Sequence, residues 1–229
     1  MLWEWLLQPI DSTRMHDVGF QVAWHGRFMT FAWAILVPLG VVVARYYKIT
    51  AKQDWPNVVD NRFWWRCHLI FQISASVLTI VALILMWQLR DFKWTGSYHF
   101  LLGWLIAALA AAQLIGGFLR GSRGGPEDLA SKGSLRGDHY DMTRRRLVFE
   151  VFHKTVGYCV LIVAQIAVLT GMWNANAPHW MWIVLSVWWC LLTIAVLWLK
   201  DHSRRPGTYQ ALWGPDPIHP GNQRRQNPR

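Results

Sequence analysis

The sequence has few acidic residues and few cysteines. Its 229 residues include 23 Lys and Arg but only 13 Asp and Glu, which gives a net charge of +10, and there are three cysteines. Three thiols at unrelated spacings form neither a disulfide framework nor a metal-binding motif. We expect them to be small core residues of helices. They are Cys67, Cys159 and Cys190.

Charged residues of either sign are also scarce, and long apolar segments take their place. The chain is 53% hydrophobic and 16% charged. Five segments are each long enough to cross a hydrocarbon core of about 30 Å at about 1.5 Å per residue. Lipid offers the backbone no hydrogen-bond partner, so we interpret them as helices. The sequence predicts an all-α integral membrane protein with five transmembrane helices: Val18–Ala44, Phe63–Gln88, Ser97–Leu119, Leu147–Trp173 and Trp180–Leu199.

The organisation along the chain is predicted to be simple. Residues 1–17 would form an interfacial segment, residues 18–199 the transmembrane domain, and residues 200–229 a basic cytoplasmic tail. The start of the chain carries Glu4 and Asp11 and no cleavage site, so we expect no cleavable signal. The linker 120–146 is rich in glycine and charge and is expected to be mobile, and the tail is expected to be disordered beyond Pro206.

The excess of positive charge is sorted between the loops. Lysines and arginines crowd the linker after the first helix, the linker after the third and the C-terminal tail, whereas the opposite side has only Arg14, Arg90 and Lys93 in loops. The positive-inside rule therefore places the N-terminus outside and the C-terminus in the cytoplasm. Topology and contact with membrane lipid explain the basic residues, and we expect no nucleic-acid partner.

Four histidines lie inside the apolar segments, one in each of the first four. They are His25, His68, His99 and His153. Strongly polar side chains are costly in a bilayer, so they indicate a functional site. Each lies near the N-terminal end of its segment, and successive segments cross in opposite directions. The sequence therefore predicts an outer pair, His25 with His99, and an inner pair, His68 with His153, and so excludes a single four-histidine metal site.

Paired imidazoles are suitable axial ligands for haem iron. An iron with both axial positions filled transfers electrons rather than activating oxygen. The sequence has no Cys-x-x-Cys-His motif, which favours non-covalent haem b. We therefore predict two bis-histidine haems in a four-helix bundle with one peripheral helix, their irons roughly 15–20 Å apart. Room for the rings would come from glycines near the histidines: Gly26, Gly103 and Gly157.

Haem propionates require nearby cations, and several basic residues are close enough. Arg27 and Arg66 lie two residues from a histidine, and Lys154 directly follows one. Arg45 and Arg120, at the inner ends of their helices, are further candidates for the inner haem. Snorkelling at a helix end is the alternative for Arg66, Arg45 and Arg120. Polar residues in mid-helix are expected to form interhelical hydrogen bonds: Gln72, Gln113 and Gln165.

These motifs together resemble the cytochrome b561 domain, most closely the version that follows DOMON domains. The first helix is similar in HGRFM from His25, AW at 32–33, PLG at 38–40 and AR at 44–45. The other three helices match the family's patterns in these residues: His68 and Gln72; His99, Gly103 and Gln113; His153, Lys154, Gly157 and Tyr158. The resemblance covers about residues 18–199.

The resemblance implies two b haems and transmembrane electron transfer, in that family often from ascorbate toward ferric iron or monodehydroascorbate. We expect no DOMON domain here, so the electron donor and acceptor would be separate small molecules or proteins on opposite sides. No residue identifies ascorbate as the donor. A compact protein without a signal peptide would fit a bacterial inner membrane, and a homodimer is left open.

Two other functions are compatible with the same residues. One is a cytochrome b subunit that exchanges electrons with quinones for a membrane dehydrogenase. The other is a non-enzymatic haem-binding or assembly protein, in which haem is cargo or structure. Two reversible redox transitions and re-oxidation from the far side would indicate a transmembrane oxidoreductase, whereas cargo haem would exchange on dilution.

Overall fold

The computed structural model describes residues 1–16, 18–89, 97–125, 127–203 and 206–226. A 3-10 helix (Leu129–Ser131) and nine α-helices are present in these ranges: α1 (Leu2–Leu7), α2 (Phe20–Tyr46), α3 (Phe63–Trp87), α4 (Tyr98–Leu119), α5 (Asp138–Asp141), α6 (Arg144–Asn174), α7 (His179–His202), α8 (Thr208–Trp213) and α9 (Pro220–Gln226). Within them the only extended pairing is one isolated bridge, between Pro9 and Pro178. Arg90 and Lys93, which enter the charge argument above, lie outside the described residues.

Five of these helices, α2, α3, α4, α6 and α7, are long and apolar enough to span a membrane. The predicted helical membrane architecture is therefore confirmed, and the chain is an integral membrane protein. The two largest boundary differences are equal: α7 ends at His202 rather than at Leu199, and α6 begins at Arg144 rather than at Leu147. Thr143 explains the extra turn, because its hydroxyl accepts a hydrogen bond from the Arg146 amide at 3.4 Å, as an N-cap residue does.

The first spanning helix, α2, contains a π-helical stretch at Phe31–Leu36. Side chains of other helices bind carbonyls of this stretch: Gln165 Nε2 donates to Trp33 O at 3.0 Å and Trp188 Nε1 donates to Ala34 O at 2.7 Å. Hydrogen bonds of this kind join helices where water is absent. They confirm the expected role of Gln165. Gln72 and Gln113 likewise donate to carbonyls of neighbouring helices.

The chain forms two compact units, each built from three stretches. The first comprises Met1–Val42, Leu69–Ala107 and Leu161–Ser203; the second comprises Val43–His68, Ala108–Val160 and Arg204–Arg229. His25 and His99 therefore belong to the first unit, and His68 and His153 to the second.

In the first unit, the N-terminal segment is attached through a buried asparagine. Asn176 is only 2% exposed; its Oδ1 accepts from the Asp11 amide, and its Nδ2 donates to the carbonyls of Asp11 and Arg14. Helix α1 exposes Leu2 and Trp3. Exposed apolar side chains of this kind support the predicted interfacial position of residues 1–17, which stays a prediction.

In the second unit, the described residues of the linker and of the tail are folded, so for these residues the predictions of a mobile linker and a disordered tail were wrong. Asp138 accepts from the Ser122 amide at 2.9 Å and from the Thr143 hydroxyl at 2.6 Å, which closes the linker on itself. Trp213 Nε1 donates to His139 Nδ1 at 3.0 Å, which joins the tail to the linker. We call residues 121–125, 127–143 and 206–223 the linker–tail cap. Composition cannot show such pairings between distant polar and aromatic residues.

The cysteines are placed differently from our expectation. All three are unpaired, but Cys159 and Cys190 are exposed, and only Cys67 is partly buried. Cys159 and Cys190 are therefore not core residues. A helix in lipid is apolar on its outward face as well as its inward face, so an apolar sequence context does not identify the buried side.

Candidate functional site

His25 and His99 face each other in the first unit. Their ring centroids lie 6.1 Å apart, with the planes at 86°. His25 Nδ1 is 3.1 Å from the Ala82 carbonyl, and His99 Nδ1 is 3.0 Å from the Ala167 carbonyl. A carbonyl only accepts, so both Nδ1 atoms carry the proton and both Nε2 atoms keep their lone pair. This second contact is typical of metal-ligating histidines, because it fixes the orientation and the tautomer of the ring.

Sequence reasoning missed a glycine against which the His99 ring rests. A Cβ built on Gly171 would lie 2.8 Å from His99 Cε1, closer than real Cβ contacts allow. Thr170, next to it, approaches His99 Nδ1 at 3.5 Å through its hydroxyl. The available signal was weak: a small residue in a transmembrane helix, which often marks a close approach to another helix.

Open space adjoins this pair. A cavity of about 500 Å³ is lined by His99, Tyr98, Thr170 and Trp173, among others. Two of the glycines expected to provide room, Gly26 and Gly103, have nothing within 4 Å of a built Cβ. In the second unit the third, Gly157, is instead in ordinary contact with Gln113 Nε2, at 3.6 Å.

His68 and His153 form an equivalent pair in the second unit. Their ring centroids also lie 6.1 Å apart, with the planes at 80°. The ring centroids of Trp65 and His68 lie 6.3 Å apart. Phe149 stacks on His153, with ring centroids 5.1 Å apart and planes at 22°. In the part of the chain that the structure describes, buried His153 Nδ1 has no hydrogen-bond partner. A buried orphan nitrogen of this kind indicates a missing partner.

The spacing of both pairs fits a shared iron. Imidazoles on opposite sides of one metal, each with a metal–nitrogen bond of about 2 Å, have ring centroids roughly 6 Å apart. A metal ion held by a pair alone would need further ligands, yet no group of three or more His, Cys, Asp or Glu side chains gathers within the described ranges. A porphyrin supplies the other four ligands itself, so these residues suit haem better than a bare ion.

The cations expected near the propionates differ in their surroundings. Arg27, Arg66 and Arg45 are exposed, and Arg27 packs over Trp24 at 5.1 Å. Lys154 pairs with Glu150. Arg120 is half-buried, and its guanidinium lies 4.4 Å from the centroid of Trp65, the ring that contacts His68.

The electrostatics around Arg120 are unusual. Burial, together with the nearby cations Arg146 and Arg123, lowers the pKa of Arg120. Arg146 itself is buried, and its Cζ lies 5.2 Å from the centroid of Phe149, the ring that stacks on His153. Sequence reasoning missed Arg146 as a site residue because it belongs to the basic run 144–146, which topology already explained.

Comparisons with known proteins point to the same family as the sequence motifs. The family model described as eukaryotic cytochrome b561 matches residues 24–131, which include His25, His68 and His99. A cytochrome b561, DM13 and DOMON domain-containing protein of Arabidopsis thaliana is 26% identical over 79% of this chain and 18% of its own length. Ferric-chelate reductase 1 of Bos taurus is 27% identical over 65% of this chain and 22% of its own length.

A further Arabidopsis thaliana relative, a cytochrome b561 and DOMON domain-containing protein, is 25% identical over 65% of this chain and 31% of its own length. The chain thus spans less than a third of each of these three relatives. No solved structure matches it significantly. The family match, the membrane helices and the paired histidines agree: over residues 24–131 the chain is similar to the cytochrome b561 family, whose members bind haem b.

Proposed function

We propose that this protein is a di-haem b-type cytochrome that carries single electrons across a membrane. The observation that carries the proposal is the pair of 6.1 Å ring separations, His25 to His99 and His68 to His153. Each pair would supply the two axial ligands of one non-covalent haem b. Bound haem would contribute a one-electron couple with no open coordination position.

The protein's own residues would hold the ligands rigidly. The Ala82 and Ala167 carbonyls orient His25 and His99 through their Nδ1 protons. Trp65 and Phe149 cover the rings of His68 and His153 with apolar surface. Rigid ligands and low polarity reduce the rearrangement that accompanies a change of iron charge, which favours fast electron transfer.

Among the cations predicted to bind propionates, Arg120 has the best support. It is half-buried beside Trp65, and neighbouring cations disfavour its charged form, so a bound anion would stabilise it. Arg27, Arg45 and Arg66 stay predictions. Lys154 also stays a prediction, although its pairing with Glu150 competes with such a role.

Orientation and location are part of the proposal. The sorting of loop charges supports an outer N-terminus and a cytoplasmic C-terminus. The bacterial inner membrane was predicted from a compact protein without a signal peptide or DOMON domain, whereas the relatives named above come from a plant and an animal. These relatives therefore do not support a bacterial inner membrane.

The donor and acceptor would act on opposite sides. Similarity to ferric-chelate reductase 1 supports ferric iron as an acceptor class. A groove of about 450 Å³ favours the quinone-linked alternative, because apolar and aromatic side chains line it together with one cation: Val148, Phe149, Phe152 and Arg145. A quinone bound there would be separated from His153 by the ring of Phe149, which stacks on that histidine.

The test is reconstitution of the full chain into proteoliposomes. We expect two non-covalent haems b per chain by pyridine haemochrome assay, two reversible redox transitions, and re-oxidation of haem by an impermeant ferric chelate on the side away from the reductant. His202→Ala, which changes an exposed histidine outside both pairs, is the matched control for ligand variants. A single haem, or haem that exchanges on dilution, would contradict the proposal.

A further inference from the structure

Arg146 lies on the same face of α6 as His153. The two residues are seven positions apart in the helix, which corresponds to two turns and about 10 Å along its axis. Phe149 fills the space between them: Arg146 Cζ lies 5.2 Å from the Phe149 ring centroid, and the ring stacks on His153 at 5.1 Å. Arg146 is only 9% exposed. A buried cation is therefore directed along the helix face that carries a haem-ligand candidate.

A residue of the tail holds Arg146 in this position. Arg146 Nε donates to the Tyr209 hydroxyl at 3.4 Å, and that hydroxyl donates to Glu150 Oε2 at 2.9 Å. The hydroxyl therefore stands between the cation and the nearest carboxylate. The other oxygen of Glu150 is engaged by Lys154. Within the described ranges, no direct ion pair joins Arg146 to a carboxylate.

Arg120 approaches the other histidine of the pair in the same way. Its guanidinium packs on Trp65, which contacts His68. The guanidinium of Arg146, which is buried, thus packs on the ring that stacks on His153. The guanidinium of Arg120, which is half-buried, packs on the ring that contacts His68. Asp128 stabilises the charge of Arg120, but burial and the neighbouring cations outweigh it and lower the pKa of Arg120. An anion reached by both guanidinium groups would offset this effect.

We propose that Arg146, positioned by Tyr209, binds a propionate of the haem between His68 and His153, and that the tail thereby sets the reduction potential of that haem. This inference rests on the proposed function. Ferrous haem carries one positive charge less than ferric haem, so a nearby cation favours reduction. For unit charges about 10 Å apart at an effective dielectric constant of about 20, the effect on the reduction equilibrium is roughly tenfold.

The experiment is a redox titration of the full-length protein in lipid nanodiscs, followed by haem absorbance. Arg146→Gln should lower the reduction equilibrium constant of the His68/His153 haem roughly tenfold, which is about 59 mV for one electron. The other haem should be unchanged, and Arg146→Lys should restore most of the shift. Arg144→Gln is the matched control, because Arg144 is an exposed cation of the same basic run.

Tyr209→Phe tests the role of the tail without changing α6. The ring keeps its packing against His139, at 4.7 Å, but the hydroxyl between Arg146 and Glu150 is lost. Glu150 would then attract Arg146 directly, so the same haem should shift in the same direction by a smaller amount. The double variant with Arg146→Gln should shift no further than Arg146→Gln alone, because the two residues act as one unit.

The two proposals fail in different ways. If the wild type shows two transitions, but Arg146→Gln and Tyr209→Phe move neither of them, this inference is wrong and the proposed function stands. A shift of equal size in Arg144→Gln would also overturn it, since the effect would then come from general surface charge. If the wild type has no haem that depends on His68 and His153, the proposed function is wrong and this inference falls with it.

Discussion

The His99 ring packs directly against the backbone of Gly171: a Cβ at that position would lie 2.8 Å from His99 Cε1. The ring is also anchored by the Ala167 carbonyl, at 3.0 Å from Nδ1. Because one turn of α6 both anchors and confines the imidazole, His99 has little freedom to move away from an added methyl group. The geometry of the His25/His99 pair therefore depends on a residue that cannot itself bind iron.

Gly171→Ala should selectively damage the haem bound by His25 and His99. The added methyl group should displace His99 from the axial position, which we expect to weaken or abolish low-spin absorbance of that haem while the other is retained. Haem content and absorbance spectra of the purified variant give the measurement. Gly117→Ala is the matched control, since its Cβ would meet nothing within 4 Å. Equal loss in both variants would indicate general destabilisation instead.

The sequence predicted the histidine pairs but not what surrounds them. One histidine per apolar segment, with alternating direction, is a signal along the chain, and the structure brings together the same partners at 6.1 Å. Gly171 and Arg146 gave no comparable signal, because a glycine among apolar residues and an arginine in a basic run each have ordinary explanations. Their roles depend on contacts between distant positions.

The tail illustrates the same limit. Residues 206–226 are rich in Pro, Gly and Arg, which predicted disorder. The structure instead has two short helices there, with Tyr209 and Leu212 buried and Asn222 Nδ2 donating to the Gly214 carbonyl at 3.0 Å. Aromatic side chains of the tail contact the linker, and the amide of Asn222 bonds within the tail; average composition does not predict such pairings.

Double substitutions should reveal which histidines share an iron. His25→Ala should remove or cripple one haem, and adding His99→Ala should cost little more, because one imidazole cannot maintain a six-coordinate low-spin haem. His68→Ala should affect the other haem, and combining it with His25→Ala should abolish both. Haem content and low-spin absorbance are measured in each variant. Losses that add between His25 and His99, but not between His25 and His68, would show that the pairing is wrong.

Membrane orientation is testable with reporters. A reporter fused after Arg229 should behave as cytoplasmic, and one inserted at 174–178, between α6 and α7, as external, because basic residues favour the cytoplasmic side. Paired reporters active on opposite sides, such as alkaline phosphatase and green fluorescent protein, would measure this. The reverse pattern would exchange the haems named outer and inner and leave the pairing of histidines intact.

The linker–tail cap should be sensitive to acid through His139. This ring is 8% exposed, and its Nδ1 accepts the hydrogen bond from Trp213 Nε1. Burial, assisted by the cations Arg146, Arg123 and Arg120, lowers the pKa of His139 to about 2. Protonation would place a hydrogen on Nδ1 and remove the acceptor for Trp213. The charged form is therefore disfavoured in the folded cap and normal in the unfolded one.

The direction of the pH effect follows from this difference. In the unfolded cap His139 should titrate near 6.5, so the neutral ring contributes full stability above that pH, and the contribution falls as pH decreases toward the folded value of about 2. One titrating proton changes the free energy of unfolding by about 1.4 kcal/mol per pH unit, or about 2 kcal/mol by pH 5.

Limited trypsin cleavage at Arg136 should accelerate between pH 7 and pH 5, with rates corrected for the protease's own pH dependence using an unfolded substrate. His139→Gln, which keeps an acceptor for Trp213 but does not titrate, should flatten the profile. An unchanged profile would mean that His139 does not control the opening of the cap.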